Sequence, residues 1–283
     1  MKSNKIFTIT ALGLTTLAIY LFVAAPPPLE EDRGEMHTIP IETALKIMQQ
    51  QNNVARALYT KEIVGQGKKR GIKFDEEWED EEIHAGPLPA QFLRLTAESL
   101  ERSPVQLGLF LGSDYAINKA NAFEGQQLKM FQEVKQSRKA NFFYVGDAQR
   151  YAYMAPDIAS SKPCVTCHNE HDESPKDDWK LNDVMGAATW TYPQQEIGYR
   201  EMLEMVAALR EAFREAYNAF LEETSKIENA PPIGNRWPRN GFFLPDTETF
   251  MARLNWRSSE STLSTLVSTT HESPEILAQG ETD

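Results

Sequence analysis

The chain has 283 residues, 41% of them hydrophobic and 25% charged, a balance that can bury a core and excludes both wholesale disorder and a many-span membrane fold. Its formal net charge is −12, spread over several acidic segments that include Asp75 to Glu82, so nucleic acid is not an expected partner.

At the N-terminus, Lys2 and Lys5 precede an uncharged run from Ile6 to Ala25, followed by Pro26-Pro27-Pro28 and then Glu30, Glu31 and Asp32. Lysines before and acids after orient the run with its N-terminus inward. The run exceeds the ~7–15 apolar residues of a signal peptide and nearly reaches the ~20 that span a bilayer. Segment 1–28 is therefore read as an uncleaved membrane anchor, with cleavage after Val23-Ala24-Ala25 as the alternative. On either reading the rest of the chain lies on the periplasmic side of an inner membrane.

Ile41 to Val64 is predicted as a helix with Ile41, Leu45, Met48, Ala55, Leu58 and Ile63 near one face, ended by Gly65, Gly67 and Gly71. An acidic, solvated loop through Asp75 to Asp80 leads to a second helix, about Ala90 to Arg102, with Phe92, Leu93, Thr96 and Leu100 inward and Pro104 after its end. Val105 to Leu111 reads as a strand, and Phe123 to Ser137 as a helix burying Phe123, Leu128, Phe131 and Val134. Phe142 to Val145, the turn at Gly146-Asp147 and Arg150 to Met154 form an antiparallel hairpin, and Val184 to Tyr192 supplies a fourth strand. Helices before and between four strands predict an α+β domain on an antiparallel sheet, spanning about 38–193.

From Tyr199, apolar residues recur at spacings of three and four: Met202, Val206, Leu209, Phe213, Ala216, Phe220 and, after a break, Ile227. Two readings of this seam stand: a coiled-coil homodimer through 199–227, or a helix folded back on its own domain. Pro231-Pro232 stops it. The remaining segment, 231–283, is read as a short docked stretch and a disordered Ser/Thr/Glu-rich tail.

The chemistry sits between the last two strands. The chain's two cysteines, Cys164 and Cys167, are followed directly by His168. Cys-x-x-Cys-His brings two thiols to the two vinyl groups of one haem while the adjacent imidazole reaches the iron, so one covalently attached haem c is expected. A short disulfide, a thioredoxin-like redox pair and a zinc site explain the pattern less well. The disulfide loop stabilises little, no βαβ unit surrounds the pair, and no second paired motif completes four zinc ligands. Arg150, Lys176 and Lys180 are candidates to pair with the anionic haem propionates, and Trp179 is read as a packing residue. His171 is a candidate hydrogen-bond donor to a propionate or to the loop backbone.

The stretch Arg150 to Tyr192, with Cys164-Val-Thr-Cys-His168-Asn169-Glu170-His171, Ser174-Pro175-Lys176-Asp-Asp178-Trp179-Lys180 and Asp183-Val184-Met185-Gly186, resembles the single-haem family known as DUF3365, or Tll0287-like. The hairpin before it and Pro87-Leu-Pro-Ala-Gln-Phe-Leu-Arg94 fit the same pattern, so the resemblance covers roughly residues 40–193. It implies a PAS-like fold carrying one c haem, used outside the cytoplasm as a sensor module. Some members place a cysteine from the N-terminal helix on the far side of the iron. With no third cysteine here, the candidates for that position are Met48 on the first helix, His84 in the acidic loop, and a water-filled or vacant site.

The preferred functional reading is a non-enzymatic haem sensor of redox state or of a diatomic gas, with the helix after Tyr199 as its output. The second is a periplasmic electron-transfer cytochrome whose acidic surface steers a basic redox partner. A haem enzyme is not expected, because the sequence offers no distal acid/base pair.

Overall fold

Strand runs joined by a short turn pair as a hairpin, and here Asn141–Val145 and Arg150–Ile158 form one within the sheet. The computed structural model describes residues 38–80, 82–227, 230–239 and 244–271, together with Tyr20. In chain order its strands are β1 Thr38–Pro40, β2 Phe74–Asp75, β3 Gly86–Pro87, β4 Gly108–Gly112, β5 Asn141–Val145, β6 Arg150–Ile158, β7 Val184–Tyr192 and β8 Glu196–Gly198. The helices are α1 Ile41–Leu58, α2 Gly65–Lys68, α3 Pro89–Arg102, α4 Gly125–Ser137, α5 Lys162–Glu170, α6 Tyr199–Ser225 and α7 Thr247–His271. The protein is α+β as expected: four strands form one antiparallel sheet in the order β4-β7-β6-β5, with the β5–β6 hairpin in the register Val145↔Arg150.

β7 is central and covered on both faces, which is why its sequence, Val-Met-Gly-Ala-Ala-Thr-Trp-Thr-Tyr, lacks the apolar/polar alternation of a half-exposed strand. Ala188, Trp190 and Tyr192 join the large core with α1, whereas Val184 and Ala187 join a smaller one with Phe123, Phe131, Val134 and Met154 under α4. Gly186 sits where β7 meets β4: a methyl group there would lie 2.5 Å from the Gly112 carbonyl oxygen. Backbone cannot yield as a flexible side chain does, so Gly186→Ala is expected to destabilise the chain by about 1–3 kcal/mol through overpacking. Urea denaturation of the variant checks this, and an unchanged midpoint contradicts it.

All six residues expected on the buried face of the first helix are buried. The helix does not stop at Gly65 and Gly67. It passes through a π-helical stretch, Tyr59–Val64, into α2, and the chain turns at Gly71, whose φ of +86° suits a residue without a Cβ. Gly67 stays helical and packs against the Phe74 ring, where a Cβ would come within 3.0 Å. Phe92, Leu93, Thr96 and Leu100 of α3 are buried as expected. The acidic loop is exposed apart from Trp78 and the half-buried Asp75, but it leads through the short parallel β2–β3 pair, and β1 pairs with β8. Neither pair was predicted, because two or three residues carry no periodicity.

Two expectations about the C-terminal half meet a different arrangement within the chain. The seam of α6 is buried in the chain's own core: Met202, Leu209, Phe213, Ala216 and Phe220 are buried, with the Phe213 ring stacked 6.3 Å from Phe92 of α3 and Phe220 beside Tyr59 and Phe74. The premise for a homodimer through 199–227, an unpartnered apolar stripe, is removed, and the fold-back reading describes the helix. The tail read as disordered contains α7, whose Phe250, Met251 and Leu254 enter the same core. Arg257 of α7 pairs with Glu62, and Thr265 donates a hydrogen bond to Gln50 of α1 at 2.8 Å. The proposed boundaries at 193/194 and 230/231 therefore fall inside one unit that begins at Thr38. Among the described residues no helix is long and apolar enough to cross a membrane. The expected anchor, 1–28, lies outside the described residues apart from Tyr20.

Candidate functional site

The segment between β6 and β7 folds as helix α5, with Pro163 in its first turn, where a missing N–H costs nothing, and His171 leaving it in extended conformation. Helical spacing places Cys164, Cys167 and His168, at i, i+3 and i+4, on one face. Both cysteines are free thiols, Cys164 partly buried and Cys167 exposed. Cys164 Sγ lies 3.0 Å from the Ser161 hydroxyl at the start of the helix.

The segment is fastened on both flanks. Asn169 donates to the Trp179 carbonyl at 3.1 Å and accepts from the Trp179 N–H at 2.8 Å, tying α5 to the loop that follows it. Trp179 packs with Ala159, Met185, Cys164 and Val165, the packing role expected of it. On the other flank His171 Nε2 is 2.8 Å from Glu76 Oε1, and His171 Nδ1 accepts the Glu173 N–H at 3.0 Å. The acidic loop thus touches the motif, a contact the sequence did not indicate.

Charged neighbours arrive from three other elements. Arg56, near the end of α1, pairs with Asp157 near the end of β6. Burial opposes the Arg56 charge, but Asp157 holds its pKa above the ordinary value, with Cys164 adding to the effect. Burial pushes His168 below the usual imidazole value, outweighing the carboxylate of Asp157, so the neutral ring, with a lone pair free to bind a metal, is favoured. His168 Nδ1 is buried and has no hydrogen-bond partner. The Cys167 thiol is pushed up by burial and by Glu76, against Lys68.

Of the residues singled out by sequence, only Cys164, Cys167 and His168 share one helix face. Lys176 pairs with Asp178, and its ammonium lies 4.8 Å from the Trp179 ring centre and 5.9 Å from that of Tyr115. The Lys180 side chain is exposed, and its backbone N–H donates to Asp183. Arg150 does not join the site. It opens β6 while Asp157 stands next to its last residue, some ~23 Å along an extended strand, and it hydrogen-bonds Thr191 and the Gln106 carbonyl. Met48 is fully buried in the large core, eight residues and about 12 Å along α1 before Arg56. His84 is exposed at a φ of 47° in the β2–β3 connection.

Arg56 and Asp157 were missed by sequence reading. A lone arginine on an amphipathic helix and an acid after Pro156 carry no local signal, and 101 residues separate them. A separate open groove of about 1100 Å³, lined by Tyr192, Arg200, Glu201 and Glu204 among others, lies at the far end of β7. There the Tyr192 hydroxyl donates to Glu201 at 2.5 Å.

Residues 41–193, more than half of the chain, match the Tll0287-like family model. The chain belongs to the Tll0287-like family. That span runs from the first residue of α1 to the residue after β7 and so contains α5, Arg56 and Asp157. No curated protein matches the chain, and no solved structure does.

The residues present fit a covalently held haem. Two free thiols and a neutral imidazole share one helix face, and one imidazole nitrogen is buried without a partner. A third ligating side chain from the rest of the chain is not needed for attachment.

Proposed function

We propose that this Tll0287-like protein binds one c-type haem, with thioether bonds from Cys164 and Cys167 and with His168 on the iron, and acts outside the cytoplasm as a non-enzymatic sensor of redox state or of a diatomic gas. The observation that carries the proposal is the helix α5 itself: two free thiols and a neutral, partly buried imidazole on one face, inside the segment that defines the family. Bound haem supplies a one-electron redox change and an iron that can take a gas. The apolar run from Ile6 to Ala25 supports export, and the PAS-like description of the sheet and its flanking helices comes with the family.

The sensor role is favoured over simple electron transfer by a route out of the site. α1 carries Arg56 and passes three residues later into the π-helical stretch Tyr59–Val64. π-Helical turns sit often at functional positions, where one extra residue can be absorbed or released. Tyr59 stacks on Phe92 at 4.3 Å and meets Phe220 of α6 edge-on at 5.6 Å, while Glu62 pairs with Arg257 of α7. A shift at Arg56 would reach both C-terminal helices through packed side chains. The electron-carrier reading draws on the exposure of Cys167, which would leave one haem edge near solvent.

Hydrogen exchange separates the two roles. For the sensor, amides of 59–64 and of the facing turns of α6 change protection between the ferric, ferrous and carbon monoxide-treated holoprotein. Identical protection in all three states would place the protein among electron carriers. His168→Ala is expected to keep covalently attached haem but to lose the parent's ferric absorption spectrum, and an unchanged spectrum would remove His168 from the iron.

A further inference from the structure

A series of hydrogen bonds leads from the last turn of α5, through the acidic loop, to the aromatic core that α6 and α7 share. His171 ends α5, and its own N–H donates to the Cys167 carbonyl at 3.0 Å, so its place is set by the turn that carries Cys167 and His168. The ring's Nδ1 accepts the Glu173 N–H at 3.0 Å, which leaves the ring proton on Nε2. That N–H donates to Glu76 Oε1 at 2.8 Å and joins residues 95 positions apart.

Glu76 is held in turn. Its backbone carbonyl accepts from Gln91 Nε2, and Gln91 Oε1 accepts the Leu88 N–H at 2.9 Å, which caps the start of α3. The next residue is Phe92. Its ring stacks on Tyr59 of the π-helical stretch at 4.3 Å and on Phe213 of α6 at 6.3 Å, and it meets Phe250 of α7 edge-on at 6.2 Å. Every step is a contact between neighbouring groups. By comparison, Arg200–Glu204 ties two turns of one helix and connects nothing else.

We infer that His171, Glu76 and Gln91 are positioning residues that link the haem helix to the core of the C-terminal helices, so that a change at the iron alters how firmly α3 is held against α6. The inference rests on the sensor reading above and names the residues that pass the signal on. Gln91 is the joint, because one amide group both holds the acidic loop and caps α3. The His171 ring donates as a neutral group, so the link needs an acceptor at position 76 and not a charge. One hydrogen bond of this kind shifts an equilibrium by roughly twofold to tenfold, and contacts in series transmit no more than the weakest of them.

The test is hydrogen exchange of the full-length holoprotein, ferric and ferrous with carbon monoxide, at amides 162–170 of α5, 91–96 of α3 and 209–213 of α6. In the parent, exchange at α3 and α6 is expected to differ between the two states by roughly threefold, inside the range one hydrogen bond can carry. In Glu76→Ala, His171→Ala and Gln91→Ala the α5 response stays, while the difference at α3 and α6 falls below about 1.5-fold. Glu76→Gln keeps the parent's response, because its amide oxygen still accepts from Nε2–H. Loss of packing alone would speed exchange alike in both states and leave their ratio unchanged. If Gln91→Ala fails to fold, the contrast between Glu76→Ala and Glu76→Gln decides the matter. Variants that respond at α3 and α6 as the parent does, a Glu76→Gln that behaves like Glu76→Ala, or loss of the α5 response overturns the inference and leaves the sensor reading standing. A haem-loaded parent with the same α3 and α6 exchange in both states overturns the sensor reading and the inference together, and a parent without covalent haem overturns haem binding as well.

Discussion

Glutamates at Val206 and Phe213 are expected to unfold the chain. Phe213 has no accessible surface, and its ring lies between α6 and Phe92 of α3, in the core shared with Tyr59 and Phe220. Losing a buried phenylalanine costs about 3–5 kcal/mol. An ionised carboxylate in its place, with no partner, adds several more, against a total stability on the order of 5–15 kcal/mol. Val206 is half-buried on the same helix and adds a smaller penalty. Circular dichroism should therefore show loss of the cooperative thermal transition, whereas Leu203→Glu, at a position 69% exposed on α6, should leave it in place. A Val206→Glu/Phe213→Glu variant that stays folded with half the parent's mass by light scattering would restore the coiled-coil dimer.

Ending the chain at Asp246 is the second large perturbation. It removes α7, and with it Phe250, which stacks on Tyr217 at 3.9 Å and meets Phe92 edge-on at 6.2 Å. Phe250, Met251 and Leu254 are each at most 3% exposed. Fully burying such side chains is worth about 1.5–3 kcal/mol apiece, so the three together amount to roughly 5–9 kcal/mol. The truncated chain also loses the partners of Glu62 and Gln50 on the α1 side. Its urea midpoint is expected to collapse towards zero, and limited proteolysis should cut within α1. A truncated chain with the parent's midpoint would make α7 an appendage.

Both perturbations fall where the sequence was hardest to read, for physical reasons. The three-and-four spacing of Met202, Leu209, Phe213 and Phe220 states that one helix face is apolar, but says nothing of what covers it; a second copy and the chain's own α3 satisfy the pattern equally. In α7 the buried face continues from Phe250 and Leu254 into Ser258 and Thr265, so hydropathy fades along a helix that is still docked. By contrast, the faces of α1 and α3 and the β5–β6 hairpin were legible, because each is specified by residues a few positions apart. The same division holds at the site. Cys164, Cys167 and His168 stand within five residues and declare their chemistry locally. Arg56 meets Asp157 only because α1 crosses the sheet towards the end of β6, and the direction of that strand carries Arg150 away from the motif instead of towards it.

The central claim is that Cys164 and Cys167 hold one haem through covalent bonds. Its most direct test is the intact mass of the full-length protein after expression with a c-haem maturation system and denaturation in acid, beside the Cys164→Ser/Cys167→Ser variant. The expected result is a parent heavier than its polypeptide by one haem, with a haem absorption band that stays with the denatured chain, and a double variant at polypeptide mass. A parent at polypeptide mass under conditions that mature a control c-type cytochrome would contradict the account.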